Sequence, residues 1–360
     1  MKVAILSMQE VRNYGSFLQA WSLKHNIEAL GHVCDFINIT PGDQLGQYKQ
    51  SRFDNVKKFV ERVCGLDFYK RIYYFFRFRR RFDNEFFADL GVKVGEVNNN
   101  HYDVVVIGSD EVFNCAQKTW FGFSRQLFGE GLNADKVISY AASFGAADVK
   151  TMEELGVKDV VARLLKNFSS LSVRDENSYK TIKELIDVES LMHVDPVLIY
   201  DYDIHMKPVA SFGDYMIVYT YPNRITDRAE INKICEYAHD RNLKLISIGH
   251  YFSWCDKVIV PHPFEVLYLF KNANCIVTDT FHGSVFSIKY NKRFCTIVRG
   301  MNNNKLTYLL RQFGLSFRIA KTPNDIERIL DEDIDYSSVN NQIAREKERS
   351  VEYLDEQLRS

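Results

Sequence analysis

The chain has 360 residues, a length that predicts two domains. It is 46% hydrophobic and 26% charged, so a real core can be buried, and its net charge of −1 leaves no global field to draw it to nucleic acid or an acidic partner. No stretch approaches the ~18 apolar residues of a spanning helix, the first apolar run is too short for a signal peptide, and seven cysteines without a CxxC motif point to neither a disulfide framework nor a zinc site. The expectation is a cytoplasmic protein with reduced thiols and no metal.

The elements alternate. Lys2–Leu6 reads as a strand, Gln19–Leu30 as a helix stopped by Gly31, and Val33–Ile39 as a second strand, which together make a βαβ unit and demand a parallel sheet. Asp103–Ile107, Val137–Ala142 and Ser169–Val173 are further apolar strands, as expected where both faces are covered. A polar stretch from Asp195-Pro196 to Asp214 is the best interdomain hinge. A second set follows: strand Met216–Tyr219, helix Arg228–His239, strand Lys244–Ile248, helix Pro263–Asn272, strand Cys275–Thr278, helix Ser284–Tyr290 and strand Arg293–Val298. Ile343–Leu358 is an amphipathic helix. The predicted class is α/β, with two Rossmann-like doubly wound domains and a ligand cleft beyond the strand ends. We place the first domain at 1–200, the second at 201–335, and a helix packing back across both at 336–360.

Functional residues should therefore sit just after strands, and four such loops stand out. Arg12-Asn13-Tyr14-Gly15-Ser16 offers helix-start N–H groups to an anion, or simply a cap from Asn13 or Ser16. Gly108-Ser109-Asp110-Glu111 puts acids at a strand end, where Asp110 could deprotonate a hydroxyl or merely cap. Arg174, directly after a buried strand, could clamp a carboxylate or phosphate or form a structural salt bridge. His282, followed by Gly283 and Ser284, lies between a strand end and a helix start, placed to transfer a proton or pair with phosphate. Neither GxGxxG nor a P-loop is present.

Six segments in order resemble the polysaccharide pyruvyl transferase family: Asn13–Ala20, Tyr102–Asn114, Ser139–Gly145, Ser172–Asp175, Val194–Leu198 and Thr278–Ser287. The resemblance implies a GT-B-like fold and transfer of a pyruvyl group from phosphoenolpyruvate (PEP) to two hydroxyls of a sugar, with PEP as co-substrate and no cofactor. It implies His282 and Asp110 as catalytic residues. It implies a donor site built on Arg174 with Gly15 and Gly283; to this we add Asn13, Ser284, Arg299 and Lys305 on the donor side and expect acceptor contacts from Asn114, Tyr251 and Trp254. Some members carry an arginine two residues before the histidine; here that residue is Thr280, so a further cation must come from Arg12, Arg299 or Lys305.

Residues 68–87 are aromatic and basic. One reading is docking on the inner face of a membrane carrying a lipid-linked oligosaccharide acceptor; the other is a packed helix with a solvated basic face. A helix there brings Phe68, Ile72, Phe75, Phe82 and Phe86 near one face. Tyr251 and Trp254 stack on a sugar or pack between domains. Two other functions share this architecture: glycosyl transfer from a nucleotide sugar, and a catalytically silent glycan-binding protein.

Overall fold

The computed structural model describes residues 1–45, 66–95, 100–300 and 303–359. Strands β1 (Lys2–Leu6), β2 (Val33–Phe36), β3 (Tyr102–Asp110), β4 (Ala134–Ala142), β5 (Ser172–Val173) and β6 (Leu191–Met192) form one parallel sheet in the order β2-β1-β3-β4-β5-β6. Strands β7 (Tyr215–Tyr219), β8 (Lys244–Ile248), β9 (Lys257–Ile259), β10 (Cys275–Thr278), β11 (Arg293–Ile297) and β12 (Ile319–Ala320) form a second, in the order β12-β11-β10-β7-β8-β9. The helices of the first half are α1 (Tyr14–Ala29), α2 (Leu66–Arg81), α3 (Phe87–Leu90), α4 (Val149–Glu154), α5 (Lys158–Leu165), α6 (Glu176–Ile186) and α7 (Pro196–Ile199). Those of the second are α8 (Arg228–Asp240), α9 (Pro263–Asn272), α10 (Phe281–Lys289), α11 (Asn303–Gln312), α12 (Asp325–Asp331) and α13 (Tyr336–Arg359).

In each sheet the chain moves outward and then returns to the other side of its first strand. The reversal falls between β1 and β3 in the first sheet and between β7 and β10 in the second. At such a point adjacent loops leave in opposite directions and open a crevice beyond the strand ends.

Three shifted boundaries bear on the site. Helix α1 begins at Tyr14, five residues early, because the Asn13 side chain caps it by accepting the Gly15 N–H and Tyr14, Phe17 and Leu18 are buried. Strand β3 runs on to Asp110, because Gly108 and Asp110 still pair with Tyr140 and Ala142 of β4. Helix α10 begins at Phe281, because Thr280 supplies the cap by accepting the Gly283 N–H. His282 therefore sits in a first helical turn rather than in a loop.

One apolar core joins the two halves. It includes Val3 and Ile5 of β1, Ile217 and Tyr219 of β7, and Leu354 and Leu358 of α13. The outer faces of the sheets have cores of their own. The start of the expected hinge is packed, since Val197, Leu198 and Ile199 are buried and the Tyr202 hydroxyl donates to the Leu18 carbonyl at 2.6 Å, while residues 203–214 are exposed or half-buried. Helix α13 starts against the second half, where Tyr336 donates to the Lys292 carbonyl, and ends against the first, where Tyr353 donates to the Ser139 carbonyl.

The aromatic helix α2 passes into a π-helical turn at Phe82–Phe86. The inserted residue rotates the face that packs. Phe78, Phe82 and Phe86 are buried, whereas Ile72 and Phe75, expected on the same face as Phe82 and Phe86, are exposed. No helix among the described residues is long and apolar enough to cross a membrane. The six described cysteines form no disulfide.

Candidate active site

The loops from the two switch points face one another across a cavity of about 300 Å³. The first half contributes Asn13, Ser16, Asp110 and Glu111; the second contributes Tyr221, Arg224, Phe281, His282 and Lys305. Asn13 also ties the halves together, its amide donating to the Tyr221 hydroxyl at 2.5 Å.

His282 is nearly buried, and its Nε2 lies 3.4 Å from Asp195 Oδ2, within ion-pair range though long for a hydrogen bond. Its Nδ1 has no hydrogen bond among the described residues. Burial pushes the Asp195 carboxyl up, but His282, Arg174 and the Val197 N–H outweigh burial and hold it below its ordinary value. An ionised carboxylate behind an imidazole fixes the orientation of the ring.

Gly15 serves this histidine differently from the sequence expectation. Its N–H is taken by Asn13 rather than left for an anion. Its role is space: a Cβ at this position would lie 2.1 Å from the His282 ring. Gly283 and Ser284 are corrected in the same way. The Gly283 N–H is taken by the Thr280 hydroxyl and the Ser284 N–H by the Thr280 carbonyl, while the Ser284 hydroxyl meets Thr296. The first-turn N–H groups of Phe281 and His282 are the ones with no partner among the described residues.

Arg174 is also corrected. Its side chain is 1% exposed and does not line the cavity. One terminal nitrogen donates to Asp195 and the other to Asp110, each at 2.9 Å, and the guanidinium lies 4.2 Å from the Phe281 ring centroid. Each terminal nitrogen is held by a carboxylate, Nε is buried without a partner among the described residues, and the side chain is sealed off from the cavity that a donor anion would enter. Arg174 is a bridge that holds the two aspartates in register. Asp110 also accepts from Ser16 at 2.9 Å. Burial pushes the Asp110 carboxyl up, but Arg174, His282 and Lys305 hold it below its ordinary value. Its φ of +79° is costly for a non-glycine residue and places the carboxylate at the cavity rim.

Of the expected cations, Lys305 lines the cavity and binds Glu111. Arg299 pairs with Glu230 of α8, and Arg12 pairs with Asp83 at 2.7 Å. Asn114 faces Glu111, donating to it at 2.8 Å, and stays outside the cavity. Tyr251 and Trp254 line a separate cavity of about 490 Å³ with Ile72 and Phe75 of α2, and Tyr251 donates to Asp67 at 2.6 Å.

A family model described as polysaccharide pyruvyl transferase matches residues 13–300. The chain belongs to the polysaccharide pyruvyl transferase family. Among solved structures it is similar to Arabidopsis thaliana UGT89C1 complexed with UDP, at 11% identity, TM-score 0.50, and coverage of 99% of this chain and 98% of that one. It is also similar to UDP-GlcNAc 2-epimerase from Neisseria meningitidis, at 10% identity, TM-score 0.47, and coverage of 98% and 100%. The likeness to UGT89C1 shows the fold alone, which is GT-B-like. No curated protein matches the chain.

Within this pyruvyl transferase family fold, three cavity or support residues escaped the sequence reading. Asp195 stood in a quoted segment without a role, and its signal is the cap it gives α7 by accepting the Val197 N–H. Glu111 was overshadowed by its neighbour Asp110. Arg224 follows β7 by five residues and lies 4.7 Å over the Tyr221 ring; a cation after a switch-point strand was the available signal.

The Gly15 contact makes a specific prediction. Gly15→Ala favours the helix locally, yet its methyl displaces the His282 ring. A displacement of ~1 Å at a reacting group costs on the order of 100-fold, so transfer falls by that much in a chain that still folds, with an overpacking cost of about 1–3 kcal/mol. Steady-state kinetics beside a thermal melt checks it, and an unaffected rate contradicts the role given to Gly15.

Proposed function

We propose that the chain transfers a pyruvyl group from PEP to two hydroxyls of a sugar in a bacterial surface polysaccharide or its precursor, forming a pyruvate ketal and releasing phosphate. The observation that carries this reading is the separation of charge across the cavity. Among the described residues, the carboxylates that line it, Asp110 and Glu111, come from the first half, and Arg224, Lys305 and His282 come from the second, with Lys305 reaching across to Glu111. A small dianionic donor fits the cationic wall, and a hydroxyl acceptor fits the acidic one.

The chemistry balances without a redox group. His282 delivers a proton to the PEP methylene carbon, and C2 gains oxocarbenium character. A sugar hydroxyl bonds to C2 and yields its proton to Asp110, giving a tetrahedral centre that still carries phosphate. The second hydroxyl then bonds to C2 as the bond to phosphate oxygen breaks. Its proton leaves with phosphate, while the first hydroxyl's proton restores His282. Arg224, Lys305 and the N–H groups of Phe281 and His282 hold the donor anion and stabilise charge developing on phosphate. Asp195 keeps His282 oriented; Arg174 keeps Asp195 and Asp110 apart and ionised. PEP is made in the cytoplasm, so the reading carries a cytoplasmic site of action.

Each charge-assisted contact to a donor anion contributes roughly 1.5–3 kcal/mol. Arg224→Met therefore weakens PEP binding roughly 10- to 100-fold, measured by calorimetry, while leaving the melting temperature unchanged. The reading as a whole is tested by incubating the protein with PEP and a panel of glycan precursors. Phosphate release matched by an acid-labile pyruvate ketal on the glycan supports it. Sugar transfer from a nucleotide sugar, with PEP untouched, overturns it.

A further inference from the structure

Helix α2 carries a surface that the cleft chemistry does not use. Its inner side packs: Phe78 meets Tyr14 edge-on with centroids 5.4 Å apart, and Tyr74 stacks on Tyr251 at 5.8 Å. Its outer side is apolar. Tyr69, Ile72, Tyr73 and Phe76 stand at i, i+3, i+4 and i+7, one stripe along the helix, and are 69%, 38%, 56% and 62% exposed.

The charges around the stripe are as unusual. Helical periodicity puts Lys70 and Arg77 along one flank, Arg79 along the other, and Arg80 within the stripe. All four, and Arg71, are exposed. None forms an ion pair with a carboxylate among the described residues, although basic side chains elsewhere are widely paired. Five cations without a carboxylate ion pair among the described residues thus crowd one helix of a chain whose net charge is −1.

We propose that α2 docks this protein on an anionic membrane surface. An apolar stripe with aromatic side chains sinks into the headgroup boundary, and flanking lysine and arginine reach lipid phosphates. A second copy of the chain is a poor occupant, because a two-fold contact through this stripe sets like charges against each other. The position has a consequence for the acceptor. Ile72 and Phe75 line the apolar cavity that also contains Pro222 and Asn223, and the next residue along that loop, Arg224, lines the candidate active site. A docked α2 therefore holds the cleft beside the bilayer. Resting on the pyruvyl-transfer reading, this makes the acceptor a lipid-linked saccharide.

Vesicle flotation of the full chain tests the docking without using PEP or any activity. One set of vesicles is phosphatidylcholine alone; the other includes phosphatidylglycerol. The protein floats with the anionic set and stays in solution with the neutral one. Partition falls roughly fivefold for each arginine removed, so Arg77→Gln/Arg79→Gln/Arg80→Gln loses most binding, and Tyr69→Ser/Tyr73→Ser/Phe76→Ser loses it independently. All six positions are exposed, and circular dichroism verifies the fold of each variant. Absence of binding to anionic vesicles, or binding that neither variant weakens, overturns the proposal. So does a wild-type dimer in sedimentation velocity that the serine variant dissolves, since the stripe is then a protein interface. Failure here leaves PEP binding in the cleft untouched, which keeps the two readings separable.

Discussion

His282→Gln lowers pyruvyl transfer roughly 100- to 10,000-fold, the range expected when a positioned acid–base group is lost. Glutamine keeps the bulk and polarity of the side chain, so the cavity and the Gly15 contact survive. It cannot exchange a proton near neutral pH. Asp195→Asn causes a similar loss by a different route. It removes the carboxylate charge that orients the imidazole at 3.4 Å. The two residues act as one unit, so the double variant is little worse than either single one. Single-turnover rates, with melts to show an intact fold, check this. His282→Gln within tenfold of the parent contradicts the role assigned to the histidine. Additive losses contradict the coupling.

Arg174→Met destabilises the protein by roughly 3–5 kcal/mol, because removing one member of a buried ionic cluster strands its partners. Asp110 and Asp195 both lose a hydrogen-bonded cation at 2.9 Å. Burial then meets less opposition, from His282 and Lys305 at Asp110 and from His282 and the Val197 N–H at Asp195, and both carboxyls move up. The pH dependence follows from the sign of the shifts. In the parent both folded values are depressed, so their contribution is present above the unfolded value of about 4 and is lost as pH falls through the lower folded value. In the variant the carboxyls protonate early. The deficit is therefore largest near neutral pH and shrinks as pH falls toward about 4. Lysine does not rescue, since one ammonium cannot bridge both aspartates in the geometry of a planar guanidinium. Thermal melts across that range measure it. A deficit independent of pH, or none at all, contradicts the bridging role.

The architecture was legible because parallel strands buried on both faces read as short apolar runs, and Lys2–Leu6 and Cys275–Thr278 both proved to be strands. The switch-point loops were legible for the same reason: a polar residue directly after such a run has few places to go but the crevice. What local sequence could not carry was long-range pairing. Arg174 looked available until Asp110 and Asp195, from other strand ends, occupied both its terminal nitrogens. Gly15 looked like an anion site because nothing near it in sequence announces the His282 ring that fills its empty side. Thr280 looked like a missing cation; it is the cap of α10, and Arg224 and Lys305 supply the positive wall. In 68–87 the composition was plain, but the π turn at Phe82–Phe86 decided which rings pack and which face solvent.

The most direct test of the central claim is a calorimetric titration of the parent chain with PEP and, separately, with UDP, GDP and CMP. The account predicts saturable PEP binding, weakened in Arg224→Met, and no heat from the nucleotides. Nucleotide binding without PEP binding contradicts it and moves this cleft to the glycosyltransferases.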